Sequence, residues 1–198
     1  MKKIIASSSN EHKIKELQAI TGKFGMEVIS KKDAGFGHVE VEEDGHTFEE
    51  NSKKKAQVLA DVSGEITIAD DSGLMVEYLG GEPGVYSARF AGEGASDLKN
   101  NEKLLALLDG VPYSKRRAKF VSVITMVFPD GDMVVARGEC PGHILLEARG
   151  KGGFGYDPLF VPDGYQRTFA QLTEDEKNSI SHRAQALKVL EELLNDRK

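Results

Sequence analysis

The sequence predicts an α/β protein built on a mixed β-sheet. Short β-like runs alternate with helical patterns from end to end, and two long β-rich stretches in the middle are joined by a tight polar turn. The chain closes on an amphipathic helix. Alternation alone would suit a purely parallel, doubly wound sheet. The central hairpin argues against one, because only antiparallel neighbours can be joined by so short a turn.

Lys2 to Ser7 reads as the first strand, followed by a helix capped by Ser9 or Asn10 with Ile14, Leu17 and Ile20 on one face. Met26 to Ser30 is a second short strand. The spacing then predicts a helix from about Thr47 to Ser63, with Phe48, Leu59 and Val62 on its inner face and Asn51 and Lys55 near that face. Ile66 to Ala69 is the next strand, ending in a turn at Asp70-Asp71-Ser72-Gly73, and Leu74 to Tyr78 is extended up to Gly80-Gly81. Asp97 to Leu108 reads as a helix capped by Ser96. Ala118 to Phe128 and Met133 to Glu147 form the hairpin across Pro129-Asp130-Gly131-Asp132. Ile180, Ala184, Leu187, Leu190 and Leu194 share one stripe of the last helix, which the segment Lys177 to Arg183 opens.

Lys plus Arg number 26 and Asp plus Glu 32, a net charge of −6 that argues against a protein held to nucleic acid or an anionic membrane by its overall field. A small polyanionic substrate stays open if cations are concentrated locally. Cys140, the only cysteine, excludes an intramolecular disulfide and a thiolate metal cluster and reads as a small buried hydrophobe. No basic-then-apolar leader precedes Ile4-Ile5-Ala6, and no apolar run approaches the ~20 residues of a membrane span, so a cytoplasmic protein is expected. No repeat or linker interrupts the chain, which reads as one domain over residues 1–198.

Asp70-Asp71-Ser72-Gly73 is the most chemical segment. Two adjacent carboxylates repel unless a cation or donors compensate them, and Mg²⁺ typically takes one or two protein carboxylates plus water and phosphate oxygens. A turn with an Asp cap explains the same residues equally well. Lys55, on an otherwise apolar helical stripe, either snorkels to water or meets an anion. Glu40-Val41-Glu42-Glu43-Asp44-Gly45 is a solvated acidic loop or a second source of metal-binding carboxylate. Ser7-Ser8-Ser9-Asn10-Glu11-His12-Lys13 offers hydroxyls, an amide and helix N-terminal N–H groups to a phosphate, without a Walker loop, or is simply a well-capped helix. Lys151-Gly152-Gly153-Phe154-Gly155-Tyr156-Asp157-Pro158 combines close backbone approach with two aromatic faces, as a base-stacking loop or as a turn with two core aromatics. Lys177, His182 and Arg183 place cations against the positive end of a helix dipole, a local penalty that points to an anion or polar ligand nearby. His38, His46 and His143 have no ligand-like spacing.

These segments in order, Ser8-x-Asn10-x-x-Lys13, Glu42-x-x-Gly45-x-Thr47-Phe48, Ala69 to Leu74, Pro83 to Arg89, Gly153 to Pro158 and Ser181-His182-Arg183, resemble the inosine triphosphate pyrophosphatase family over essentially the whole chain. The resemblance implies Mg²⁺-dependent hydrolysis of non-standard purine nucleoside triphosphates (ITP, dITP, XTP) to monophosphate and pyrophosphate, which keeps them out of DNA and RNA. It also implies an elongated mixed sheet with flanking helices, two lobes around a central active-site cleft, and a homodimer. By residue, it makes Asp71 the proton acceptor and a metal ligand, Glu42 the other metal ligand and Asp70 their acidic neighbour. Ser8, Ser9, Asn10, Glu11, His12, Lys13 and Lys55 would meet the triphosphate, with Ser72 in the substrate site. Phe154, Gly155, Tyr156, Asp157, Lys177, His182 and Arg183 would recognise the base. Ser9 departs from the family's usual Thr-Gly-Asn start, which puts the backbone path there in question. An Asp at its ordinary pKa is a weak base, so positioning and electrostatics are expected to supply much of the rate. Donors such as His182 or Arg183 would suit the 6-oxo group of hypoxanthine or xanthine and be left unpaired by adenine. Two other readings of the same residues are a nucleotide-binding regulator without catalysis and a pyrophosphatase acting on modified pyrimidines.

Overall fold

The computed structural model describes residues 2–22 and 25–196. Within these residues six strands form one sheet: β1 (Lys2–Ala6), β2 (Met26–Ser30), β3 (Thr67–Val76), β4 (Arg117–Val127), β5 (Met133–Ile144) and β6 (Phe160–Pro162), in the order β2-β1-β3-β4-β5-β6. β1 pairs parallel with β2 and β3, whereas β5 and β6 are antiparallel, so the sheet is mixed. β4 and β5 are joined by the expected hairpin, closed by the Phe128 N–H to the Asp132 carbonyl at 2.9 Å.

Among the described residues five α-helices accompany the strands: α1 (Glu11–Thr21), α2 (Phe48–Ser63), α3 (Asp97–Leu107), α4 (Glu174–Ile180) and α5 (His182–Asn195). Their starts follow from side-chain caps. Asn10, Thr47, Ser96 and Thr173 each accept the N–H three residues on, and Glu176 completes a capping box with Thr173.

The chain divides into two compact units. The first comprises the described residues of Met1–Asp71, Ser122–Gly138 and His182–Lys198, around a core of Ile4, Leu17, Val28, Ile68, Ile124, Met126, Leu187 and Leu190. Within it α5 lies against β5 at Gly138, where an added Cβ would meet the Ala186 nitrogen at 2.1 Å and the His182 carbonyl at 2.2 Å. The second comprises Ser72–Val121 and Glu139–Ser181, with Leu74, Leu104, Leu108, Phe120, Phe160 and Phe169 at its centre. Buried Cys140 belongs to this core, and burial pushes its thiol up to about 12.

Several expectations are corrected. The extended run from Leu74 stops at Val76, with Glu77–Leu79 forming a 3₁₀ turn, and β5 ends at Ile144 and not at Glu147. Asp70 to Gly73 is not a turn, because β3 runs straight through it to Val76. Strand geometry sends successive side chains to opposite faces, so the adjacent carboxylates need not confront each other. The terminal helix is two helices: Ser181 is extended (ψ 158°), leaving Lys177 in the last turn of α4 and only His182 and Arg183 at the start of α5. The apolar stripe runs on in sequence across Ser181, but Ile180 packs in the second unit's core and Ala184 in the first unit's. Val62, in the last turn of α2, is 53% exposed, and the buried face is formed by Phe48, Asn51, Ser52, Lys55, Ala56, Leu59 and Ala60.

Candidate active site

In the first unit, α2 sets Asn51 and Lys55 one turn apart on its buried face. Asn51 Oδ1 accepts the Gly45 N–H at 2.8 Å, and a Cβ at Gly45 would meet that oxygen at 2.6 Å, so glycine lets the acidic loop close onto the helix. The loop thereby brings Glu43, not exposed Glu42, to Lys55. Lys55 Nζ donates to Glu43 Oε2 at 3.0 Å, to Asp71 Oδ1 at 3.0 Å and to the Asp70 carbonyl at 3.1 Å. The snorkelling alternative for Lys55 is therefore set aside. Burial opposes its charge, but Asp71 and Glu43 outweigh this and hold its pKa above the usual lysine value.

The two aspartate side chains have different hydrogen-bond partners. Asp70 Oδ2 receives Lys13 at 3.1 Å and Arg183 at 3.0 Å, and Asp70 Oδ1 receives the Ser122 hydroxyl. Burial would raise its pKa, but Arg183, Lys13 and Ser122 hold the carboxyl well below the ordinary range. Asp70, expected as part of a metal cluster, is paired with two cations. Burial pushes Asp71 up to about 6, with Lys55 and Lys13 pulling down and Glu43 adding to the rise. Asp71 is therefore not the weak base of ordinary pKa that the sequence alone suggests. Its Oδ2 is buried and has no hydrogen-bond partner among the described residues. Glu43 is lowered, since Lys55 overcomes its partial burial.

Arg183 is wholly buried, paired with Glu16 of α1 as well as Asp70. Both contacts place it within the carboxylate network, a different setting from the base donor expected. His182 is buried at the start of α5. At α1, Asn10 Oδ1 caps the Lys13 N–H at 3.1 Å, and the Asn10 N–H donates to Ser8 Oγ at 3.1 Å. Ser9, Asn10, Glu11 and His12 are exposed and Ser8 half-buried. No described non-glycine residue has positive φ, so the path at Ser9 needs no glycine.

In the second unit, Ser72 is half-buried in β3. Asp157 is buried, its Oδ2 accepting Lys177 Nζ at 2.7 Å and the Phe154 N–H at 3.0 Å. Glycine at 153 is needed there, because a Cβ would meet Asp157 Oδ2 at 2.0 Å. Lys177 Nζ also lies 4.8 Å from the centre of the half-buried Phe154 ring, within cation–π range. Tyr156 is a core residue whose hydroxyl donates to the Ser87 carbonyl at 2.7 Å, so it offers no stacking face.

Sequence reasoning missed Glu16 and Ser122. Glu16 stands one turn from Lys13 on α1, and Ser122 is a hydroxyl inside an apolar strand. Either could have been read as a polar group answering a buried charge.

Fold and cluster together are those of an α/β protein with a buried network of carboxylates and cations. The chain belongs to the Ham1 family, whose sequence profile matches residues 4–193. It is 51% identical over 193 residues to a dITP/XTP pyrophosphatase of Desulforamulus reducens, covering 98% of this chain and 96% of that one. A dITP/XTP pyrophosphatase of Clostridium perfringens is 50% identical over 200 residues, with 98% of each covered. Among solved structures, the Staphylococcus aureus Ham1 protein superposes with a TM-score of 0.87 at 42% identity over the whole of both chains. A nucleoside-triphosphatase (dITP/XTP pyrophosphatase) of Mycobacterium abscessus gives 0.76 at 42% identity, covering 95% and 97%.

Proposed function

We propose that this chain hydrolyses non-standard purine nucleoside triphosphates, ITP, dITP and XTP, to the monophosphate and pyrophosphate, and so clears them from the nucleotide pool. The observation that carries the reading is Asp71, a buried carboxylate 3.0 Å from Lys55 Nζ with one oxygen unpartnered among the described residues. Full-length likeness to proteins named as dITP/XTP pyrophosphatases supports the same chemistry.

The donor set suits Mg²⁺. Four carboxylates, Glu16, Glu43, Asp70 and Asp71, stand against the three cations Lys13, Lys55 and Arg183. Asp71 Oδ2 is the buried oxygen left over. No group of three or more His, Cys, Asp or Glu among the described residues is arranged to hold a metal. Mg²⁺ typically takes one or two protein carboxylates and the rest from water and phosphate. Asp71 would hold it with Glu43, or with Glu42, the residue the resemblance implies. Bound there, Mg²⁺ would neutralise charge on the triphosphate and favour ionised water.

Lys55 and Lys13 bind and orient the phosphates, helped by Ser8, Ser9, Asn10, Glu11 and His12 around the start of α1, while Ser72 lies in the substrate site. Asp71 accepts the proton of the attacking water. Phe154 offers a face to the base, Gly155 and Tyr156 their backbone, and Asp157, Lys177 and His182 its polar contacts. Arg183 supports the site through Asp70. The chain acts as one domain over residues 1–198, as a homodimer in the cytoplasm; no helix among the described residues is long and apolar enough to cross a membrane.

The test is a product-resolved assay with ITP, XTP, dITP, ATP and GTP in Mg²⁺. Pyrophosphate and monophosphate from ITP, XTP and dITP, with ATP and GTP disfavoured, are expected. Orthophosphate with nucleoside diphosphate would overturn the reading.

A further inference from the structure

The glycine-rich loop is gripped by two side chains that neither the resemblance nor the proposed chemistry uses. Asp97 and Asn101 stand four residues apart on α3, hence on one face of the helix. Asp97 Oδ2 accepts the Gly155 N–H at 2.7 Å, and Asn101 Nδ2 donates to the Gly155 carbonyl at 2.9 Å. Together they hold both polar groups of one residue, which itself sits at φ +60°.

The grip matters because of its neighbours in the chain. Phe154 lies between Gly153 (φ +70°) and Gly155, the two most permissive positions of the loop. Its own N–H is fixed by Asp157, and the next N–H by Asp97. With both peptide groups flanking its Cα anchored, the ring keeps its place against Lys177. Asn101 Oδ1, meanwhile, is buried with no partner among the described residues.

We infer that Asp97 and Asn101 are positioning residues for base selection, acting through the Gly155 backbone to set the Phe154 ring and the Asp157–Lys177 pair. The inference rests on the proposed base-recognising role of that loop. Neither side chain is assigned a contact with substrate.

Asp97→Ala should remove a charge-assisted hydrogen bond and loosen the loop. A KM for ITP raised roughly tenfold, with kcat changed less than about twofold and the preference for ITP over ATP reduced, is expected. Asp97→Asn keeps an acceptor oxygen and should restore most of the preference. Asn101→Asp, which replaces the donor by a second acceptor facing the Gly155 carbonyl, should behave like Asp97→Ala. Amide hydrogen exchange read by NMR in the substrate-free protein supplies the second arm, with the Gly155 amide exchanging at least tenfold faster in Asp97→Ala. An unchanged Gly155 exchange rate, or an equal loss for ITP and ATP carried in kcat, would overturn the inference. Failure of the proposed function would show separately, as a wild-type protein that does not prefer ITP while its Gly155 amide still responds to Asp97→Ala.

Discussion

Asp71 shows how a single residue can be poor for stability and good for chemistry. Its folded pKa is raised from 3.8 to about 6, so the charged form is worse off in the folded protein than in the unfolded chain. Without a bound cation, stability should therefore fall as pH rises between about 4 and about 6 and stay reduced above that. The drop is on the order of 3 kcal/mol. Asp71→Asn has no such carboxyl to ionise. In chelator at pH 7.5 it is expected to unfold no earlier than the wild type, and in Mg²⁺ to lose turnover by at least roughly a hundredfold. Urea titrations at pH 5 and 7.5 alongside the product assay check both halves, and a markedly less stable variant would make Asp71 structural. Its neighbour behaves oppositely, since Asp70 is held ionised by Arg183, Lys13 and Ser122. The double-Asp motif was visible in the sequence, but this division was not. It depends on Ser122 and Arg183, 52 and 113 residues away along the chain.

At the scale of elements, β3 and α5 differ most from expectation. Two acidic residues followed by Ser-Gly resemble a turn locally, since none favours a strand. Buried counter-charges outweigh that preference and keep the strand extended through Val76. The break at Ser181 was hidden because Ile180 and Ala184 keep helical spacing while packing into different cores. Other elements were plain from caps and periodicity: α1 starts at its cap, α2 and α3 lie within a residue of their expected bounds, and the hairpin turns where its turn residues put it. The closeness of α5 to β5 gives a sharp test. Gly138→Ala would drive a Cβ into the backbone of His182 and Ala186. Displacing the helix start should cost about 1–3 kcal/mol or more and disturb the Arg183–Asp70 pair. Reduced stability by urea together with a large fall in turnover is expected; a silent substitution would refute the close packing.

For the whole molecule, β3, β4 and β5 each contribute residues to both compact units, so neither unit is one continuous piece of chain. This argues for a single cooperative unfolding transition in spite of two cores. Leu187→Ala in the first core and Leu104→Ala in the second should each lower the same transition, by about 2–5 kcal/mol. Near- and far-ultraviolet circular dichroism should remain coincident, and two separated transitions would refute the coupling. By itself the sequence determined the α/β class, most helix caps, the hairpin and the string of polar segments that carry the chemistry, because these depend on spacing and local backbone preference. Only the tertiary structure decided that Glu43 meets Lys55, that Asp70 and Asp71 serve different partners, that Arg183 is buried against carboxylates and that Tyr156 belongs to the core. Those outcomes follow from burial and from which distant charges are brought within about 3 Å, neither of which is written in any local stretch of residues.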